Sequence, residues 1–237
     1  YEGNMQRLVI SEGSKALVHV LVCVKVGWRH EVAGKRGISH ALEHALFLGN
    51  RSHPSPDCEV GEYGVQLSGM TNPERTLFYF TSTKEDFPAI LRILLSLIFH
   101  PELKEDKLAK EKREKIMPAV VKESDFTPWE LAHEWARNLV FNWDFMQSLG
   151  VGEDIASLTK EDLEAWHRRY YHALNSCIVI YGNVQESVVT RLIRDAEIPS
   201  GAEVPVPFGV QWNTKEVFVR KTGIDNVEVV YGFKVPQ

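Results

Sequence analysis

The stretch Gly37-Ile38-Ser39-His40-Ala41-Leu42-Glu43-His44-Ala45-Leu46-Phe47-Leu48 mixes His, Glu, Ala and Leu without a proline and reads as a helix. On a helix, residues i and i+4 share a face, so His40 and His44 can meet one metal ion while Glu43 projects beside them. From the composition, an H-x-x-E-H order is expected by chance fewer than about 0.05 times in a chain of this length. Two imidazoles leave a hydrolytic metal centre one protein ligand short of the usual three, with water at the open position.

Working outward, residues 5–10 and 16–26 are rich in Val, Leu and Ile. Glu12-Gly13-Ser14 lies between them, the pattern of two strands joined by a tight turn. Both faces of 16–26 are apolar, which predicts a central strand covered on both sides. Strand signals return at 64–70 and 76–83 around the turn Thr71-Asn72-Pro73-Glu74. A helix follows from Asp86, with Phe87, Ile90, Leu91, Leu94, Leu97 and Ile98 at helical spacing, and His100-Pro101 ends it. A charged helix starts at Lys104, kinks at Pro118 and resumes through Glu123 towards Phe141. A helix over 160–172, a strand over 176–182 and a helix over 185–196 complete a first domain at 1–198. Residues 199–214 read as a linker. Strands at 215–221 and 227–233 read as the start of a second related domain, or as extra strands on the first sheet, within 215–237.

A net charge of -5 offers no basic face for phosphates, so no nucleic-acid partner is expected. With 44% hydrophobic residues, the 237 residues can bury one full domain and part of another. Cys23, Cys58 and Cys177 lie far apart with no C-x-x-C pair, and read as small buried hydrophobes. The apolar runs at 16–26 and 89–99 fall short of the roughly 20 residues a membrane span needs. No leader pattern is visible, so a cytoplasmic location is the default expectation. His19 reads as packed in the sheet, and His133, His167 and His172 lack ligand spacing.

The surroundings of the helix are informative. Gly27-Trp28-Arg29-His30-Glu31 precedes it, and Ser68-Gly69-Met70-Thr71 with Glu74 and Thr76 follows. Leu149-Gly150-Val151-Gly152-Glu153-Asp154-Ile155 then forms a glycine-marked loop. Asp162-Leu163, Tyr170-Tyr171, Asn175 and Tyr181-Gly182-Asn183 come later, all in one order. This series resembles the inverzincin peptidases of the pitrilysin, insulinase and mitochondrial processing peptidase family over roughly residues 20–198.

The resemblance implies an α+β fold with a mainly antiparallel β-sheet and helices packed on one face, one half of a duplicated architecture. It implies zinc as cofactor, His40 and His44 as ligands, and Glu43 as general base towards a metal-activated water. The third ligand is implied to be a Glu on a later helix. Glu123 in Val120-Val121-Lys122-Glu123 matches best, 79 residues beyond His44 (123 − 44), with Glu114 and Glu111 as alternatives. The family's second acidic residue, seven positions earlier, falls on Ile116 here. Substrate is implied to be an unfolded peptide in extended form, lying along the strand of Ser68, Gly69 and Met70. Ser68 and Gly69 depart from the family's Asn-Ala. A second peptidase-like domain or partner chain, completing a clamshell, is also implied. A non-catalytic homologous subunit is the alternative; such relatives lose metal ligands, whereas His40, Glu43 and His44 are intact here.

Overall fold

The computed structural model describes residues 5–123 and 149–202, with isolated positions at 127, 129, 130, 132, 133, 136 and 204. The strands are β1 (Gln6–Ser11), β2 (Leu17–Val24), β3 (Ser68–Thr71), β4 (Thr76–Thr83) and β5 (Ser176–Gly182). They form one sheet in the order β1-β5-β2-β4-β3, parallel between β1 and β5 and antiparallel elsewhere. The helices are α1 (Ile38–Leu46), α2 (Pro56–Gly61), α3 (Phe87–Phe99), α4 (Glu105–Glu111), α5 (Met117–Glu123), α6 (Gly152–Ser157), α7 (Lys160–Tyr170) and α8 (Glu186–Asp195). The architecture is the expected α+β one.

Period-two alternation builds the core. Val18, Val20, Val22 and Val24 of β2, Phe78 and Phe80 of β4, and Ile178 and Ile180 of β5 all point to one buried face. Ile90, Leu91, Leu94, Leu97 and Ile98 of α3 and Ala41, Leu42, Ala45 and Leu46 of α1 are buried in the same cluster. The sheet's other face carries Leu17, His19, Leu21 and Cys23 and is more open; Leu17 is 47% exposed. The expected cover on both sides of β2 is therefore found on one side only among the described residues.

The expected hairpin of the first two strands is also overturned. β5 inserts between them, pairing Leu8 with Val179 on one side and Leu21 with Val179 on the other. Strand signals identify strands but not their neighbours, and a partner some 170 residues distant leaves no local mark. The glycine-marked loop proved to hold a short helix, α6, and α2 was not foreseen. Cysteine placement differs as well: Cys23 and Cys177 are half-buried and Cys58 is exposed.

The kink expected at Pro118 takes a specific form. Residues Lys112–Ile116, between α4 and α5, are wound as a π-helix. Proline has no N–H and its ring crowds the carbonyl four residues back, here Glu114, so widening the preceding turn accommodates it. Glu123 ends α5; residues 124–126 and most of those towards Phe141 lie outside the described residues. The 215–237 strands do so too. No described helix is long and apolar enough to cross a membrane.

Candidate metal and catalytic site

α1 is held at its start by charge. Gly37 is its N-cap, and the buried Glu31 carboxylate accepts from the Gly37 N–H at 2.6 Å and the Ser39 N–H at 2.9 Å. A carboxylate is favourable at the positive end of the helix dipole. Burial nevertheless pushes Glu31 up to about 7, against these two N–H bonds.

A glycine crossing brings a distant carbonyl to the helix. Gly37 and Gly150 have φ of 96° and 107°, and a Cβ on Gly150 would lie 2.4 Å from the Gly37 Cα. Arg36 locks the approach from the side, its Nε donating to the Asp154 carboxylate at 2.7 Å. Leu149 is thereby placed so that its carbonyl lies 3.1 Å from His40 Nδ1. His44 Nδ1 lies 2.9 Å from Glu111 Oε1 on α4.

Both partners are acceptors only, so each histidine carries its proton on Nδ1 and keeps the Nε2 lone pair for a ligand. The two rings stand 4.7 Å apart between centroids, at 84° to one another. A metal-binding histidine characteristically donates its other nitrogen to a carbonyl or carboxylate in this way. The pair therefore fits a divalent metal of the zinc type. Burial, and then the neighbouring His44, push His40 down to about 4, so it stays neutral at ordinary pH.

Glu43 sits beside them on the buried face of α1. The Thr71 hydroxyl donates to its Oε2 at 2.6 Å. Burial raises its pKa, while Thr71 and His44 act to lower it. Gly69 explains the close fit of helix and strand: a Cβ there would lie 2.5 Å from Glu43 Oε1. Gly69→Ala is expected to destabilise the protein by about 1–3 kcal/mol through this overlap. Urea denaturation measures it; an unchanged midpoint would mean that the carboxylate swings away freely.

Of the strand residues predicted for substrate, Ser68 and Gly69 are half-buried and Met70 is 48% exposed. They lie on β3, which ends the strand order and so presents an edge among the described residues. Of the acidic candidates, Glu114 faces solvent, its side chain 48% exposed and paired with Arg113. Glu111 is turned inward beside His44 with a side chain 13% exposed. Ile116 is fully buried, so the carboxylate touching a histidine comes from one helical turn earlier than the α5 segment. The side chain of Glu123 lies outside the described residues. Among the described residues no three His, Cys, Asp or Glu side chains close into a complete metal cage. A concavity of about 610 Å³ lined by Phe99, Glu164, His167 and Tyr171 lies apart from the histidine pair.

Sequence reasoning missed Thr71, read as a turn residue, and the Leu149 carbonyl, which has no side-chain signature.

Glu31 and His40 titrate in opposite directions in the metal-free chain. His40, lowered from 6.5 to about 4, contributes stability that is present above pH 6.5 and lost as pH falls towards 4. Glu31, raised from 4.5 to about 7, contributes stability that is present below pH 4.5 and lost as pH rises through 7. Each is worth on the order of 3 kcal/mol. Glu31→Gln is thus expected to leave a protein that weakens on acidification below pH 6.5. His40→Gln is expected to lose less stability than the parent chain on acidification below pH 6.5, with His30, His167 and His172 still titrating against Glu31. Denaturation midpoints across this range read both slopes, and parallel slopes in the two variants would contradict the assignment.

A zinc protease of uncharacterised role from Rickettsia felis is 27% identical over 176 residues, covering 73% of this chain and 42% of that protein. Zinc protease PqqE of Helicobacter pylori is 23% identical over 236 residues, covering 95% of this chain and 53% of that protein. The chain thus spans about half the length of the curated relatives it matches. A crystal structure of a protease from Helicobacter pylori superposes with a TM-score of 0.77 at 22% identity, covering 87% of this chain and 51% of that one, which shows a shared fold. Residues 157–237 match the model described as the peptidase M16 inactive domain. Residues 7–128, 122 of the 237, match the model described as insulinase, peptidase family M16, and to that family the chain belongs.

Proposed function

We propose that this chain is the metal-binding half of a zinc-dependent endopeptidase that hydrolyses unfolded peptides, with His40 and His44 as ligands and Glu43 as general base. The observation that carries it is the pair of Nδ1 bonds, to Leu149 at 3.1 Å and Glu111 at 2.9 Å, which leave two Nε2 lone pairs beside a buried carboxylate. Glu123 on α5 is proposed as the third ligand from its place in the motif. Zinc, when bound there, supplies Lewis acidity towards water and the scissile carbonyl.

The chain's own residues do the rest. Glu43 takes the proton of the attacking water and returns it to the departing amine. The Thr71 hydroxyl holds Glu43 Oε2, which leaves Oε1 to face that water. An extended peptide is proposed to add to the β3 edge at Ser68, Gly69 and Met70 through main-chain hydrogen bonds, with little demand on its sequence. Glu111 fixes the tautomer and tilt of His44. Glu111→Gln is expected to weaken zinc binding about 10–100-fold, as loss of such an outer partner does elsewhere. Competition with a chelator measures this, and an unchanged affinity would remove Glu111 from the site.

Because the chain spans about half of its relatives, a second peptidase-like domain or partner chain is proposed to close over the peptide. The match of residues 157–237 to an inactive-domain model keeps a non-catalytic, peptide-binding subunit as the second reading. Metal analysis of the purified chain, followed by incubation with an unstructured peptide, tests the proposal. Stoichiometric zinc with cleavage is the expected result. Zinc without cleavage, even after the second half is supplied, would favour the subunit; no zinc at all would overturn the site.

A further inference from the structure

Two of the three cysteines meet on the sheet face turned away from the helices. Cys23 of β2 and Cys177 of β5 are direct cross-strand partners in an antiparallel register that runs unbroken from His19–Tyr181 to Val24–Ser176. Both side chains are half-buried, so a small thiol reagent can reach them, and neither is bonded to another cysteine. Residues directly opposed in such a pair have Cα atoms about 4.5–5.5 Å apart. A disulfide bridges Cα separations of about 4.4–6.8 Å, a range this register meets. The two thiols lie on the same face of the sheet, side by side across β2 and β5.

We propose that Cys23 and Cys177 form a reversible disulfide site, closed by a low-molecular-weight disulfide oxidant of the glutathione class. The Cys177 thiolate attacks one sulfur of glutathione disulfide, breaking its S–S bond and releasing one glutathione thiolate. The resulting mixed disulfide on Cys177 is then attacked by Cys23, whose proton passes to solvent. A Cys23–Cys177 bond forms and the second glutathione leaves. The protein loses two hydrogens in all, and one glutathione disulfide becomes two reduced glutathiones.

The electrostatics match these roles. The adjoining Cys23 thiol and the nearby Lys25 ammonium lower the Cys177 thiol, against the effect of burial. The adjoining Cys177 thiol, and then burial, push Cys23 up, which favours Cys177 as the attacking thiolate. Its other neighbour, Gln6 of β1, carries no charge to oppose this. The bond would join positions 154 residues apart (177 − 23) at the end of β2 that leads into Trp28, Glu31 and α1. It is therefore a staple across two of the sheet's inner strands.

The test uses the full chain carrying Cys58→Ser, which removes the exposed third thiol. After equilibration with glutathione disulfide, the expected result is a mass lower by two hydrogens and no thiol left for maleimide. Peptide mapping should then join the segments of Cys23 and Cys177, and a reductant should restore both thiols. The thermal midpoint should rise by roughly 5–10 °C on closure and return on reduction. Cys23→Ser should instead retain glutathione on Cys177 and show no such rise. Two glutathione adducts on one chain, or two thiols that stay free in the folded protein, would overturn the proposal. Mapping of the wild-type chain gives the same answer should Cys58→Ser fold poorly, because Cys58 falls in a different peptide.

Discussion

Glu43→Gln is expected to leave zinc content unchanged and to lower peptide cleavage by about 10²–10⁴-fold. The amide is close in shape to the carboxylate and can still accept the Thr71 hydroxyl, so α1, β3 and the histidine pair keep their arrangement. What disappears is the basic oxygen, Oε1, over which Gly69 leaves room. Measuring kcat/KM on an unstructured peptide alongside metal content separates the two effects. Equal cleavage by the variant would remove Glu43 from the mechanism, and lost zinc would mean that the residue acts on the metal site itself.

The second large effect is expected at the ligands. His44→Ala should abolish stoichiometric zinc and reduce cleavage to background, because one imidazole with a carboxylate is a poor site for a divalent ion of this class. The same change leaves the Glu111 carboxylate, with a side chain 13% exposed, without its imidazole partner. That should cost about 1–3 kcal/mol in the metal-free protein. His40→Ala should likewise remove zinc, but the group that loses its imidazole is a neutral carbonyl, that of Leu149, rather than a carboxylate. The two variants should therefore lose metal equally and differ in apo stability, with His44→Ala the weaker protein. Equilibrium denaturation in the presence of chelator reads the difference.

Much of this was legible in the sequence because the relevant signals are local. The spacing of His40, Glu43 and His44 fixes a shared face, and the structure sets their helix at Ile38–Leu46 within the predicted span. The helix over Phe87–Phe99 and the strands over Thr76–Thr83 and Ser176–Gly182 followed from periodicity and turn residues in the same manner. What escaped was non-local or carried by the backbone. The partner of His40 is a main-chain carbonyl 109 residues away, which any residue type can supply. The partner of His44 depends on where a helix with a π segment points its carboxylates, and the sequence marks only the proline that perturbs it. Gly69 was singled out as a substrate contact, yet its visible role is to make room for Glu43. The departure from the family pattern at that position is thus tied to the packing of the base itself.

The strand order carries a kinetic consequence. β1 pairs with β5 alone in the described sheet, so β1 finds its place only after Gly182 has been synthesised. Closing so large a loop is entropically slow, and sheets built on such distant pairings fold late. At about 5–20 residues per second, a ribosome needs roughly ten seconds or more to deliver β5. Through that interval Val9, which packs against the core in the finished sheet, has no neighbour to shield it. Nascent chains stopped before residue 176 should therefore remain protease-sensitive around Gln6–Ser11, and gain protection there once the fifth strand has emerged.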